Sequence, residues 1–457
     1  MNNCIKLLLF IPFFLSLNTH GYSKDCPVTV KGHEVYELAN IIIAVSPYGQ
    51  ADPNEVNKES SYYLEVLKHF KEFENHPVFA KVNYSRKKWA ELLSFRTDSY
   101  AFVFNKKGII KREFKFQSMG EEFNEFEENL ALINDFVIVS GFREFYINHS
   151  SYYDSIRLKY ESTQMIPEIL TFLNDEFGEQ KTSRYAIVIS SLVGAQNLQR
   201  TVKKVGTSFV PVPDYILNGT ISERDIASSL HMLFTEINHD YINPTTSKNK
   251  KIYNDLFDPK KWDSGSGYIE WDHATFNEYM TWAVYDLFIQ KHFPLLENDV
   301  IINWQLQNQS RKFFASSLFN LKLQELYDNK LENERIADLY PKLLTWCNEV
   351  QDNISIPILE KTMISDSIIS ITFSEPMNLI DHIDGYLIVK DDTITRKQII
   401  LEGIQWNDEG TLLSFKSPLI KGVECSLYLN AAWKNKIIVS SKKGINLGTY
   451  TKIGSEY

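Results

Sequence analysis

The chain has 457 residues, of which 44% are hydrophobic and 13% aromatic, which excludes a disordered or fibrous polymer and gives enough material for two or three buried cores. Its formal net charge of −10 supplies no field for collecting phosphate backbones, and its longest basic run is the short "SKNKK" at 247–251. Nucleic acid is therefore not an expected partner.

The first residues, "MNNCIKLLLFIPFFLSLNTHGYSKDC", combine one lysine, an apolar run from Leu7 to Leu17 and small residues at Gly21 and Ser23. That layout predicts a secretory signal peptide over 1–23, with an apolar part too short to span a bilayer comfortably. The expected location is secreted, periplasmic or at the cell surface. No L-x-x-C precedes Cys26, so a lipid anchor is not expected, and no second stretch of about 18 apolar residues follows. An integral membrane segment after signal removal is not expected either. Beyond the signal, Cys26, Cys347 and Cys425 are odd in number and far apart, which fits neither a disulfide-stapled mini-domain nor a cysteine-based zinc site.

From 24 to 351 the periodic signal is mostly helical. "EVYELANIIIAVS" places Val35, Leu38, Ile41 and Ile42 on one face, and "SSYYLEVLKHFKEF" does the same with Tyr63, Val66, Leu67 and Phe70. The acidic stretch at 121–135 predicts a helix with a solvated face. Two strand-like runs intervene. "RYAIVIS" at 184–190 is β-branched, and "TSFVPVPDYI" at 207–216 is extended, its prolines restricting it to a sheet edge or a loop. "SLVGAQNLQR" at 191–200 reads equally as an edge strand with its loop or as a plain connection.

Ser222 and Asp225 form a capping box that opens a helix free of Gly and Pro up to Asn243-Pro244, a natural stop. Ile226, Leu230, Leu233, Phe234, Ile237 and Tyr241 gather on one face, and Thr235, Glu236 and His239 lie on the other. A helical zinc site needs imidazoles at i and i+4 that converge on one ion, with a Glu beside the first as general base. Here the register is Thr235-Glu236-Ile237-Asn238-His239, so a hydroxyl stands where the first imidazole belongs. His231 lies eight residues before His239, about 12 Å of helical rise, too far for both to grip one ion. It reads as a partly buried helix histidine. Downstream of "DSGSG" at 263–267, a second helix has Phe276, Met280, Ala283, Val284 and Leu287 as apolar positions and Asn277-Glu278 near its start. Glu270, Asp272 and His273 are spare polar groups beside it.

A helix with "TEINHDYINP" followed by one with "NEYMTWA" resembles the gluzincin branch of zinc metallopeptidases, where H-E-x-x-H on one helix is joined by a Glu from an N-E motif on the next. It is more closely similar to a family of secreted bacterial metallopeptidase-like proteins with an H-E-x-x-H-x-x-x-N-P helix and N-terminal helices comparable to "YELANIII" and "YYLEVLKHF". The resemblance spans about 34–300. It implies Glu236 as general base, and His239 and Glu278 as zinc ligands. Thr235 departs from it, and loss of one of three protein ligands predicts a degenerate zinc site with weak or no activity. Thr235 itself, Asp240 or His273 would have to complete the coordination of zinc in an active peptidase. The alternative is a non-catalytic extracellular protein that binds a peptide or surface polymer.

From 352 to 457 the texture changes. "IISITFSEPMN" alternates with Ile369, Ile371 and Phe373 on one side, "GYLIVKDD" follows, and "QIILEGIQWNDEGTLLSFKSPL" reads as two strands around Asn407-Asp408-Glu409-Gly410. Short strands at this spacing predict a β-sandwich. "ITFSEPMN" resembles the opening strand of bacterial Ig-like modules, which act as spacers or adhesion units. The fold class expected for the whole is α+β: a mainly helical zincin-like domain followed by a small all-β Ig-like sandwich.

Overall fold

A computed structural model describes residues 28–456 apart from 53, 121–122, 179–183, 220, 366 and 391–393. The expected signal peptide at 1–23 and Cys26 lie outside the described residues. Helices dominate 34–350 and strands 359–456, so the class is α+β.

Four strands form the sheet of the helical part, in the order Val28–Lys31, Tyr185–Ser190, Val205–Pro211, Leu198–Val202. The first three run parallel, and the last is antiparallel to its neighbour. Tyr185–Ser190 is buried at all six positions, as a β-branched strand covered on both faces should be. Its alternation divides two cores. Ile187 and Ile189 join Val210 in the core that includes Leu233, Phe234 and Ile237, whereas Val188 joins Phe209 in the core around the first helix.

Two expectations are corrected here. The run at 207–216 is not an edge or a loop: Val205–Pro211 lies inside the sheet, because Pro211 is its last residue and Pro213 falls beyond it, so the ladder loses little from either. The helix Glu34–Val45 does not bury one face alone; it is buried from Val35 through Val45, and Glu37 is accommodated by the Tyr62 hydroxyl, which donates to it at 2.8 Å. The acidic stretch forms two helices, Glu125–Glu128 and Leu130–Ser140, with Phe126 buried. The polar run at 191–200 leads into the edge strand Leu198–Val202.

The C-terminal part has two four-stranded antiparallel sheets whose inward residues share one core. Ile369, Ile371 and Phe373 supply it from one sheet, and Leu387, Val389, Leu427 and Leu429 from the other. At the turn, the Asn407 side chain accepts from the backbone N–H groups of Thr411 and Leu412, both at 2.8 Å, and Gly410 has φ +77°. The expected boundary near 352 falls between the helix Tyr340–Val350 and the strand Leu359–Ile364. The two parts are nonetheless in close contact. Ile445 is buried in the helical core, Gln309 Nε2 donates to the Asn446 carbonyl at 2.8 Å, and Ser317 Oγ donates to the Gly444 carbonyl at 2.6 Å. Cys347 and Cys425 are buried free thiols, one in each part.

Candidate functional site

The helix Glu223–Lys248 carries the Ser222–Asp225 capping box expected for it. It does not stop at Asn243-Pro244 but continues through the proline to Lys248. An internal proline costs about 3 kcal/mol through its missing N–H and its clash with the preceding turn. Packing on both sides offsets this: Tyr241 and Ile242 are buried before it, and Thr245 and Thr246 after it. The second helix, Ala274–His292, lies antiparallel against the first. Asn277 Nδ2 donates to Asn243 Oδ1 at 2.9 Å, Asn238 Nδ2 to the Thr281 carbonyl at 3.3 Å and the Tyr285 hydroxyl to the Ala227 carbonyl at 2.7 Å. Thr246 Oγ1 also donates to Asn277 Oδ1 at 2.6 Å. The asparagines of the two motifs thus tie the helices together.

This pairing brings His239 and Glu278 together, with Glu236 near enough to feel the charge of both. His239 Nε2 lies 3.5 Å from Glu278 Oε1, and its Nδ1 is 3.5 Å from the Thr281 hydroxyl. Arg311 approaches the other Glu278 oxygen at 4.0 Å, donates to the Tyr268 hydroxyl at 3.4 Å and lies over the Trp282 ring at 5.0 Å. Glu236 is buried, and its Oε1 accepts from Asn197 Nδ2 at 2.6 Å. Burial pushes the Glu236 carboxyl up to about 7; the positive charges of His239, Arg200 and Arg311 oppose the shift, and the negative charge of Glu278 adds to it.

The three groups proposed to replace the missing imidazole make other contacts, although Asp240 Oδ2 and His273 Nε2 have no hydrogen-bond partner among the described residues. Thr235 is buried, and its hydroxyl donates to the carbonyl of His231 at 2.8 Å within its own helix. Asp240 Oδ1 accepts from Gln199 Nε2 at 2.7 Å, which directs it to the edge strand, and burial raises its carboxyl to about 6. His273 sits at the start of the second helix with φ +62°, its ring edge-on to Tyr253 at 4.5 Å and its Nε2 3.2 Å from Asp272 Oδ1. His231 is more deeply buried than its sequence suggests. Its ring stacks on Trp304 at 3.7 Å, neither ring nitrogen has a hydrogen-bond partner among the described residues, and burial holds its pKa well below the ordinary imidazole range. Glu270 is exposed.

Zinc in a catalytic site takes three protein donors in tetrahedral geometry. Among the described residues, no group of three His, Cys, Asp or Glu side chains is placed to hold a metal ion. His239 and Glu278 supply two donors that face one another, Glu236 is engaged with Asn197, and the Thr235 hydroxyl is turned into its helix. The donor set does not fit a zincin-type zinc ion.

Four groups of the cleft carried no signal of their own in the sequence. Arg311 and Tyr268 reach it from segments without a motif. Asn197 and Gln199 are polar residues two apart beside a strand, and that spacing puts both side chains on the face they use to reach Glu236 and Asp240.

No protein-family model matches the chain, and no curated protein matches it. Among solved structures, the crystal structure of the S-layer protein rSbsC(31-844) is 10% identical, with a TM-score of 0.18, covering 53% of this chain and 38% of that one. The structure of surface layer protein SbsC, domains 1-6, is 12% identical with the same TM-score of 0.18 and the same coverages, 53% and 38%. The N-terminal part of SbsC is 11% identical, with a TM-score of 0.17, covering 47% of this chain and 56% of that one. This chain therefore matches less than two thirds of each, and at such scores the likeness carries no argument about fold or activity.

Proposed function

We propose that this is an exported, metallopeptidase-like protein of the gluzincin type whose zinc site is degenerate, and that its cleft binds an extended peptide without cutting it. One observation supports the reading: the Thr235 hydroxyl closes on the His231 carbonyl at 2.8 Å while His239 pairs with Glu278 at 3.5 Å, as expected of a zincin-type helix pair that lacks its donor set. The strand Leu198–Val202 has one ladder partner, Val205–Pro211, among the described residues, and an extended peptide could add to its outer edge beside Glu236. The C-terminal sandwich, read as an Ig-like module, holds the cleft outside the membrane. Export is supported by the N-terminal sequence, and among the described residues no helix is long and apolar enough to cross a membrane.

A second reading, peptide hydrolysis with Asp240 or His273 recruited as a substitute ligand, is favoured by one observation. The Glu236 carboxyl, at about 7, lies in the range that suits a general base.

The two readings separate in one experiment. The purified protein is mixed with a random octapeptide library, with and without added zinc, and mass spectrometry follows peptides retained and peptides cut. Binding without cleavage predicts intact retained peptides in both conditions. Zinc-dependent cleavage that Glu236→Gln abolishes would establish the second reading, and neither retention nor cleavage would overturn both.

A further inference from the structure

The face of the four-stranded sheet turned away from the cleft carries an open groove of about 690 Å³, within the range of small-ligand sites. Thr29, Ala186 and Thr207 are register partners across three strands and form its floor. In a chain of net charge −10, the groove is lined by three cations, Lys31, Arg184 and Lys203, and by one carboxylate, Glu113. Two of the cations are held over aromatic rings. Lys31 Nζ lies 4.8 Å from the centre of the Tyr100 ring, and Lys203 Nζ 3.9 Å from that of Phe114. The rings themselves meet edge to face at 6.0 Å.

The turn that presents Lys203 is unusual. Lys203 and Lys204 join the strands Leu198–Val202 and Val205–Pro211 with φ of +49° and +64°, positions where Asn-Gly is the common choice. Left-handed backbone at a residue with a side chain costs about 1 kcal/mol or more, so lysine is held here against the local preference.

The floor decides what kind of ligand the groove suits. Tyr185–Ser190 and Val205–Pro211 are each paired on both sides, so they offer no free main chain for an added peptide strand. Val28–Lys31 is the edge strand, so free main chain lies only at that rim of the groove, and over the rest recognition falls to side chains: the fixed cations, the part-exposed Phe114 ring and the Thr29 hydroxyl. That combination suits sugar rings bearing carboxylates, whose C–H faces pack on aromatics and whose anions pair with lysine and arginine. We propose that this groove is a binding site for an acidic oligosaccharide of uronate type, separate from the cleft that holds Glu236.

Isothermal titration calorimetry of the full purified protein with a defined oligogalacturonate tests this. The expected result is binding that weakens as salt rises from about 0.05 M to 0.5 M. It should weaken about tenfold or more in Lys31→Ala/Lys203→Ala, weaken in Arg184→Ala, survive in Lys203→Arg and be unchanged in Glu236→Gln. Thermal melts confirm that the variants are folded, and Arg184→Ala at an exposed position provides an independent reading should the double variant fail to fold. Absence of binding would overturn the assignment. So would equal affinity for a neutral oligoglucose, or for polyglutamate of matched charge, and so would a change confined to Glu236→Gln.

Discussion

His239 Nε2 and Glu278 Oε1 face each other at 3.5 Å across two antiparallel helices, with Arg311 4.0 Å from the second carboxylate oxygen. The pair is thus one end of a short line of polar groups that ends on a solvent-accessible guanidinium. The Arg311 side chain is 46% exposed, so its ion pair is screened and contributes little; together with its stacking on Trp282, its removal should cost about 1 kcal/mol or less. Its electrostatic effect is easier to detect. Arg311→Ala removes a charge that holds the Glu236 carboxyl down, so the Glu236 titration, followed by carbon-13 NMR, should move above about 7. An unmoved titration would show that Arg311 does not act on the cleft.

Glu236 should also leave a pH signature in stability. Its carboxyl titrates near 4.5 in the unfolded chain and near 7 when folded, so between those values the folded state holds more protons. Its contribution to stability therefore falls as pH rises through that window, and the loss is complete above about 7. Several buried histidines have lowered pKa values and run in the opposite sense, so the whole-protein profile mixes both. The difference between Glu236→Gln and the parent isolates one group. The variant's melting temperature should match the parent's near pH 5 and exceed it by a few degrees near pH 8. A constant offset across that range would contradict the burial of the charge.

Trp304 links the two parts of the molecule. Its ring stacks on His231 at 3.7 Å, meets Trp433 of the C-terminal part edge-on at 5.4 Å, and its indole N–H donates to the Ser228 carbonyl at 3.1 Å. Trp304→Ala should cost about 3 kcal/mol and split the thermal transition in two, read by calorimetry. A single transition at an unchanged temperature would mean that the sandwich is held by its other contacts alone.

Much of this architecture was legible because local chemistry and global packing agree. The Ser222–Asp225 capping box marks the start of the site helix, and the alternation of Ile369, Ile371 and Phe373 marks a strand of the sandwich. Pro244 misled because the cost of a proline is local, whereas the burial that offsets it at Thr245 and Thr246 depends on a helix that comes later in the chain. Pro211 and Pro213 misled in the same way about Val205–Pro211, whose neighbours are set by a parallel crossover. Around the site, Glu236, His239 and Glu278 stand out in the sequence by helical register together with the gluzincin resemblance. Arg311, Tyr268 and Asn197 were not, because contacts between distant segments leave no periodic trace.

Metal content of the purified protein, prepared without chelator or histidine tag and measured by mass spectrometry beside Thr235→His and His239→Ala, tests the proposed degenerate site most directly. The expected result is far less than one zinc per chain in the parent and in His239→Ala, with about one recovered in Thr235→His, where an imidazole returns to the i position. Stoichiometric zinc in the parent that disappears in His239→Ala would contradict the account, and no zinc in any of the three would contradict the zincin-type ancestry of the helix pair.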